Sequence, residues 1–222
     1  MRFRLAIFSL CLAAFASSAA AQSMSLQPLP IVLPKPLFEG TPEPVSVPNL
    51  EKALGKPRPP FLAPAGTANV ALHKLVTSSD SSPLIGDLDM VTDGNTAGTD
   101  GTYVELKAGM QTVTIDLEAP HTIYAILIWH YLKEARSYKG VVVQVADDPD
   151  FISDVRTLFN NDNDNSSGFG IGTDRRYVET AEGKLIDAKG VVARYVRLAS
   201  QGSDRTQGSH YVEVEVFGKP VK

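Results

Sequence analysis

Segments of alternating or unbroken apolar character recur from about residue 68 to residue 218, each bounded by Gly, Asp, Asn or Ser clusters. Alternation sends every second side chain to one face of an extended strand, so a chain written this way must bury a sheet face. NVALHKLVT (69–77) and QTVTIDLE (111–118) alternate, the second placing Val113, Ile115 and Leu117 together. TIYAILIWHY (122–131) is apolar on both faces and is expected as a central strand. KGVVVQVADD (139–148) supplies Val141, Val143 and Val145, and ARYVRLAS (193–200) and HYVEVEVFG (210–218) close the series. No stretch of comparable length keeps a helical period. The class is all-β, and a strand-rich unit of about 150 residues is a sandwich or jelly roll.

What precedes this region differs in texture. MRFRLAIFSLCLAAFASSAAAQS has the charged, apolar and small-residue order of a secretory signal peptide, residues 1–21, with the cut expected after Ala21. Its apolar stretch is too short to span a bilayer, and no later segment suits a transmembrane helix. The single cysteine, Cys11, falls inside this leader, so the exported chain is expected to carry no thiol, in a bacterial periplasm or outside the cell. The formal net charge is −4 and no basic stripe appears, which argues against nucleic acid as a partner. Residues 22–67 form a proline-rich arm, in which missing amide donors and extended geometry prevent helix or sheet from running far. NLEKALG (49–55) alone suits a helical turn or two. Ile31, Val32, Leu33, Phe38, Phe61 and Leu62 are scattered through the arm. Two readings stand: a flexible tether, or an arm lying against the domain that follows, residues 68–219.

Taken in order, NVALHKLVTSS, VTDGN (91–95), TVTIDLEAPHTIYAILI, ARYVRLAS and EVEVFG resemble the discoidin or coagulation-factor type C domain family. The resemblance covers Asn69 to Gly218 and implies the galactose-binding-like jelly-roll fold, whose bacterial members include carbohydrate-binding modules. Departures are specific. Tyr103 stands where members commonly carry tryptophan, the family's DLG becomes Asp116-Leu117-Glu118, and the disulfide of many animal members is missing. These favour the bacterial branch over animal-type phospholipid or receptor binding.

Asp-Gly in VTDGN is a turn signal by itself, because glycine reaches positive φ without strain. The resemblance implies more: one calcium ion where this loop meets the last strand, held by Asp93, Asn95, Thr96 or Thr99, and Glu213. Calcium takes six to eight oxygen ligands in flexible geometry, which suits carboxylates and carbonyls. With Val212, Val214 and Val216 facing the core, Glu213 and Glu215 share the other face. The alternative is an unmetallated turn with a solvated Glu213. A second acidic run, NNDNDNSSG (160–168), presents Asp162 and Asp164 but has Thr173 at the twelfth place, where a calcium loop needs glutamate. It is read as a solvated loop.

Ligands of this family meet variable loops at one end of the sandwich, and sugar recognition pairs an aromatic face with planar hydrogen-bonding groups. WHYLKEARSYKG (129–140) offers His130, Tyr131, Arg136 and Tyr138, and the late loop offers Arg205 and His210. Structural roles compete: Trp129 as core, Tyr131 capping a strand end, Arg136 solvated with Glu134. Catalysis is not expected. Histidines 73, 121, 130 and 210 lack zinc-ligand spacing, no G-x-S-x-G motif occurs, and the carboxylates show no pairing of the glycosidase kind. The expected function is an exported, non-catalytic glycan-binding module with a structural calcium ion. The alternative is an exported scaffold that meets a protein partner through the proline-rich arm or a sheet face.

Overall fold

The computed structural model describes residues 25–37 and 44–221; the leader with Cys11, and Phe38 in the arm, lie outside them. The strands are β1 (Leu26–Pro28), β2 (Leu62–Pro64), β3 (Ala68–Asn69), β4 (Val76–Ser78), β5 (Val104–Leu106), β6 (Gln111–Trp129), β7 (Val142–Ala146), β8 (Arg156–Asn160), β9 (Lys184–Ser200), β10 (Ser209–Tyr211) and β11 (Glu213–Pro220). A 3-10 turn over Leu88–Thr92, unmarked by any helical period, precedes the Asp-Gly loop. No helix of the described residues is long and apolar enough to cross a membrane.

Two long strands build both layers. QTVTIDLE and TIYAILIWHY, expected as separate strands, are one 19-residue strand, β6. Its pairing with β9 shifts between Asp116 and His121, and Glu118 sits there at φ 68°, outside the ordinary strand region. The first half of β6 pairs with β4 and the end of β9, which continues to β7 and β8. The second half pairs with the start of β9 and with β11, which continues to β3. A bent strand passing from one layer to the other closes a sandwich without a second set of strands. The expected central position of TIYAILIWHY holds, because β6 lies between β11 and β9.

Val113, Ile115, Val143, Val145, Val196 and Leu198 from the first layer meet Ile123, Ile126, Ile128, Ile186, Val214 and Val216 from the second in the main core. HYVEVEVFG divides at Val212. Residues before it pair with β5 and residues after it with β6. Val214 and Val216 enter the main core, as alternation requires, whereas Val212 packs in a second cluster.

That second cluster settles the arm. Ala125, Leu127 and Trp129 point away from the main core, and Leu29, Ile31, Leu37, Phe61 and Ala63 of the arm cover them together with Phe217. β1 and β2 pair antiparallel within the arm. Arg58 fastens it: its backbone N–H donates to Glu182 Oε1 (3.0 Å), Nη1 to the Gly183 carbonyl (2.9 Å) and Nη2 to the Glu182 carbonyl (2.8 Å). Lys184 pairs with Glu51 at 2.8 Å. NLEKALG is not helical; Leu50 bridges to Arg176 instead, with Asn49 at φ 55°. The arm is a third layer over one sheet.

The run at 160–168 is less solvated than its composition suggests. Asp162 is buried, its Oδ1 accepting from the Ser166 N–H (3.1 Å) and its Oδ2 from the Ser167 N–H (2.7 Å). Its carboxylate is spent on closing its own loop.

Candidate functional site

Asp93 follows the 3-10 turn and leads into Gly94 at φ 84°. Asp93 Oδ1 accepts from the Asn95 N–H at 2.7 Å, and Asn95 Oδ1 from the Ala97 N–H at 3.1 Å, two successive side-chain-to-backbone turns. From the opposite side Glu213, fully buried, accepts the Gly94 N–H through Oε2 at 3.1 Å. The loop and the last strand, 119 positions apart, therefore touch. Thr96 is half-buried. Thr99 is exposed, with its carbonyl taking the Thr102 N–H (3.0 Å).

Glu213 and Glu215 stand opposite Trp129 and Leu127 on the outward face of β11. Glu213 Oε1 and Glu215 Oε2 are buried with no hydrogen-bond partner among the described residues. Burial pushes the Glu213 carboxyl up to about 9; the Gly94 N–H opposes this, and the charges of Asp93 and Glu215 add to it. Burial alone lifts Glu215 to about 7. Two adjoining carboxyl groups without a protein cation form an electrostatic deficit, and an ion could fill it.

Gly94 is required here. A Cβ on it would lie 3.0 Å from Leu72 Cδ1, on a backbone that L side chains rarely adopt. Gly94→Ala is expected to cost about 1–3 kcal/mol, read as a lower urea midpoint. An unchanged midpoint would show the loop has room to relax.

At the loop end five of the six residues named from sequence converge. His130 stacks on Tyr138 with centroids 4.3 Å apart, and its Nδ1 lies 2.7 Å from Glu179 Oε1. The Tyr138 hydroxyl lies 2.9 Å from His210 Nδ1. The Arg136 guanidinium rests 4.2 Å over the Tyr131 ring, and Tyr131 meets Tyr103 edge-on at 5.3 Å. Arg205 stays outside: it is exposed on the adjoining loop, where Asp204 Oδ1 accepts the Ser137 N–H at 2.7 Å. Trp129 is core, its Nε1 donating to the Ala181 carbonyl at 3.0 Å. Tyr131, half-buried, follows the end of β6, and Arg136 pairs with Glu134 but is buried rather than solvated. Glu179 was not legible, since one glutamate in YVETAEGK has no local mark of a partner 49 positions away.

Among the described residues the cluster holds unmatched polar atoms: His130 Nε2, Glu179 Oε2, and Arg136 Nε and Nη1. Glu179 engages the Nδ1 side of His130, leaving Nε2 on the far side of the ring. Four polar atoms thus lie unpaired inside one aromatic shell.

His210 gives the shell a pH dependence. Burial depresses its imidazole to about 4, helped by the charges of Arg136 and His130; Tyr138 and Glu105 are its polar neighbours, and Tyr103 and Tyr131 its ring neighbours. The unfolded imidazole takes its proton near pH 6.5 and the folded one only near 4. Stability is therefore whole above about 6.5 and falls as the pH drops toward 4, by on the order of 2–3 kcal/mol. Urea midpoints at pH 7.5, 5.5 and 4.5 should show a steeper acid limb for the wild type than for His210→Gln. Parallel limbs would remove His210 from the account.

No protein-family model matches the chain, and no curated protein does. Solved structures do. A family 89 glycoside hydrolase from Clostridium perfringens superposes with a TM-score of 0.51 at 18% identity, over 69% of this chain and 15% of that one. The chain thus spans a small part of that enzyme's length. Chitosan-binding module 1 of a chitosanase/glucanase from Paenibacillus sp. IK-5 gives 0.48 at 19% identity, over 68% of this chain and 98% of the module. The CBM32-4 module of the Clostridium perfringens enzyme, in complex with GlcNAc-α-1,4-galactose, gives 0.47 at 17%, over 70% and 96%. What the hydrolase superposition shows is a shared fold. It is an antiparallel β-sandwich of the galactose-binding-like jelly-roll type.

Proposed function

We propose that the protein is an exported, non-catalytic module that binds glycan through its loop end and holds a structural calcium ion beneath the Asp93–Gly94 loop. The carrying observation is the set of unmatched polar atoms around Tyr138: Arg136 Nε and Nη1 as donors, Glu179 Oε2 as an acceptor, and His130 Nε2 beside them. A sugar hydroxyl both gives and takes a hydrogen bond, so neighbouring hydroxyls satisfy both kinds at once. Tyr131, half-buried beside them, is the aromatic side chain offered to the C–H side of a ring. The scaffold reading, through the arm or a sheet face, loses Leu29, Ile31, Leu37 and Phe61, which are engaged on the sheet, and keeps exposed Val32 and Leu62.

The donor set suits calcium. Glu213 Oε1 and Glu215 Oε2 are buried and unpartnered, and Asp93 is close enough to raise the Glu213 carboxyl. Among the described residues no three acidic, imidazole or thiol side chains form a metal-holding group by themselves. Asn95, Thr96 or Thr99 and backbone carbonyls would complete the shell, as calcium commonly requires. The ion would supply charge and a clamp between loop and strand, without taking part in chemistry.

A glycan array with the full chain, run in calcium and in chelator, tests both parts. Binding to a carbohydrate class, lost on His130→Ala, is expected. No binding to any carbohydrate would turn the reading to the scaffold and leave the fold untouched.

A further inference from the structure

The outward face of the first layer carries an arginine that the fold leaves without a counterion. Val196 and Leu198 enter the main core, so Arg197 between them points outward, as does Gln144 opposite it on β7. Arg197 Nε and Nη2 donate to Gln144 Oε1 at 3.2 and 2.7 Å, and the guanidinium carbon lies 4.1 Å from the Phe151 ring centroid and 5.0 Å from that of Phe169. The residue is half-buried, and its Nη1 meets no acceptor among the described residues. The other described arginines that are not exposed each face a carboxylate: Arg58 that of Glu182, Arg136 that of Glu134, Arg176 that of Asp204 and Arg194 that of Asp116. Two loops hold the rings on Arg197. In one, Asp148 Oδ2 accepts the N–H groups of Ile152 (2.9 Å) and Ser153 (3.0 Å); in the other, Asn165 Oδ1 accepts the Gly170 N–H (2.7 Å). The next apolar side chain beyond each ring is left in water, Ile152 at 83% exposure and Ile171 at 74%.

A guanidinium pressed against two rings is ordered and partly stripped of water, yet the donors at its far end are unspent. Burial depresses it from its ordinary range with no carboxylate to oppose the shift. A planar carboxylate brought by a partner would meet a donor set already in place, and would lose little freedom of the protein in doing so. We propose that this face docks a protein partner through one aspartate or glutamate side chain set on Arg197, with apolar residues of the same segment covering Ile152 and Ile171. Charge decides the class of partner. Residues 147–155 hold four aspartates and residues 161–173 two, and neither stretch holds a lysine or arginine. That rim repels a polyanion, whereas a single carboxylate needs only the one cation at its centre. The arm covers the outward face of the other layer at Ala125, Leu127 and Trp129, so Arg197 marks the sheet face that the arm leaves free. The site is separate from the loop-end cluster and does not rest on the glycan reading.

An array of short peptides with a central Asp or Glu between Leu, Ile, Val or Phe, each beside its Asn or Gln counterpart, probed with the full chain, tests this. A subset of the acidic peptides is expected to bind about tenfold or more tightly than their amide counterparts, the factor of a single charge-assisted bond, with the gap narrowing as salt rises. Arg197→Gln should abolish the difference. Because that change also loosens two rings, Ile152→Ser and Ile171→Ser carry the decision. Both side chains are exposed and the fold does not need them, so urea midpoints should stay at the wild-type value while peptide affinity falls about threefold or more, as for an apolar side chain partly covered at an interface. Acidic and amide peptides retained equally, no peptide retained, or wild-type affinity in both isoleucine variants would overturn the proposal. So would binding to phosphatidylglycerol vesicles in place of peptides, which would give the same donors to a lipid phosphate.

Discussion

Calcium added to the chelated protein is expected to raise its melting temperature by about 5–10 °C, and Glu213→Gln to remove that response. An ion present at a hundredfold its dissociation constant adds about 2.7 kcal/mol by mass action, and each kcal/mol moves the midpoint of a chain this size by about 2–4 °C. The residue choice follows from burial. Glu213 has one oxygen on the Gly94 N–H and one with no partner. In chelator its carboxylate is a cost to the fold, so Glu213→Gln should melt at the wild-type temperature or above it. In calcium the order should reverse. Crossing of the two variants separates an ion site from a merely structural glutamate, whose loss would lower both temperatures alike. Asp93→Ala should blunt the calcium shift while affecting the chelated protein little, because Asp93 is a partly exposed turn residue. Equal melting temperatures for the wild type with calcium and with chelator would sink the ion.

How much of this was legible depends on how far apart the interacting residues lie. The alternation of β6, β9 and β11 is local, and their all-β class followed from it. The bend at Glu118 was not, since a single residue at positive φ inside a strand pattern leaves no period to count. Glu215 could be placed beside Glu213 by counting two along the strand, but that Glu213 is buried and Glu215 half-buried depends on what covers the sheet. The loop-end residues were legible as a set of side-chain types in one segment. Their burial depends on Glu179 and Tyr211, brought in from elsewhere in the chain. The most informative missed signal lay in TIYAILIWHY. A strand apolar on both faces needs cover on both, and the sandwich core supplies one. The arm, with an apolar residue every few positions, was the other.

That pairing makes the arm essential to the fold, and its removal is the largest change expected here. Deleting residues 25–66 uncovers Ala125, Leu127, Trp129, Val212 and Phe217. If some 300 Å² of apolar surface returns to water, the loss at about 25 cal/mol per Å² approaches 8 kcal/mol, partly offset by the freedom the arm regains. A net loss of about 3–5 kcal/mol is a large fraction of an ordinary domain's stability, and the truncated chain should bind a hydrophobic dye and lose its cooperative urea transition. Because a chain that fails to fold is ambiguous, point variants carry the decision. Leu29→Ala and Phe61→Ala, on side chains packed against the sheet, should each lower stability by about 1–3 kcal/mol. Val32→Ala and Leu62→Ala, on side chains 77% and 53% exposed, should change it by less than about 0.5 kcal/mol. Arg58→Ala should fall with the first pair, since it frees two carbonyls at Glu182 and Gly183. A tether predicts five variants alike and near zero, whereas a third layer predicts the split between side chains that face the sheet and side chains that face water.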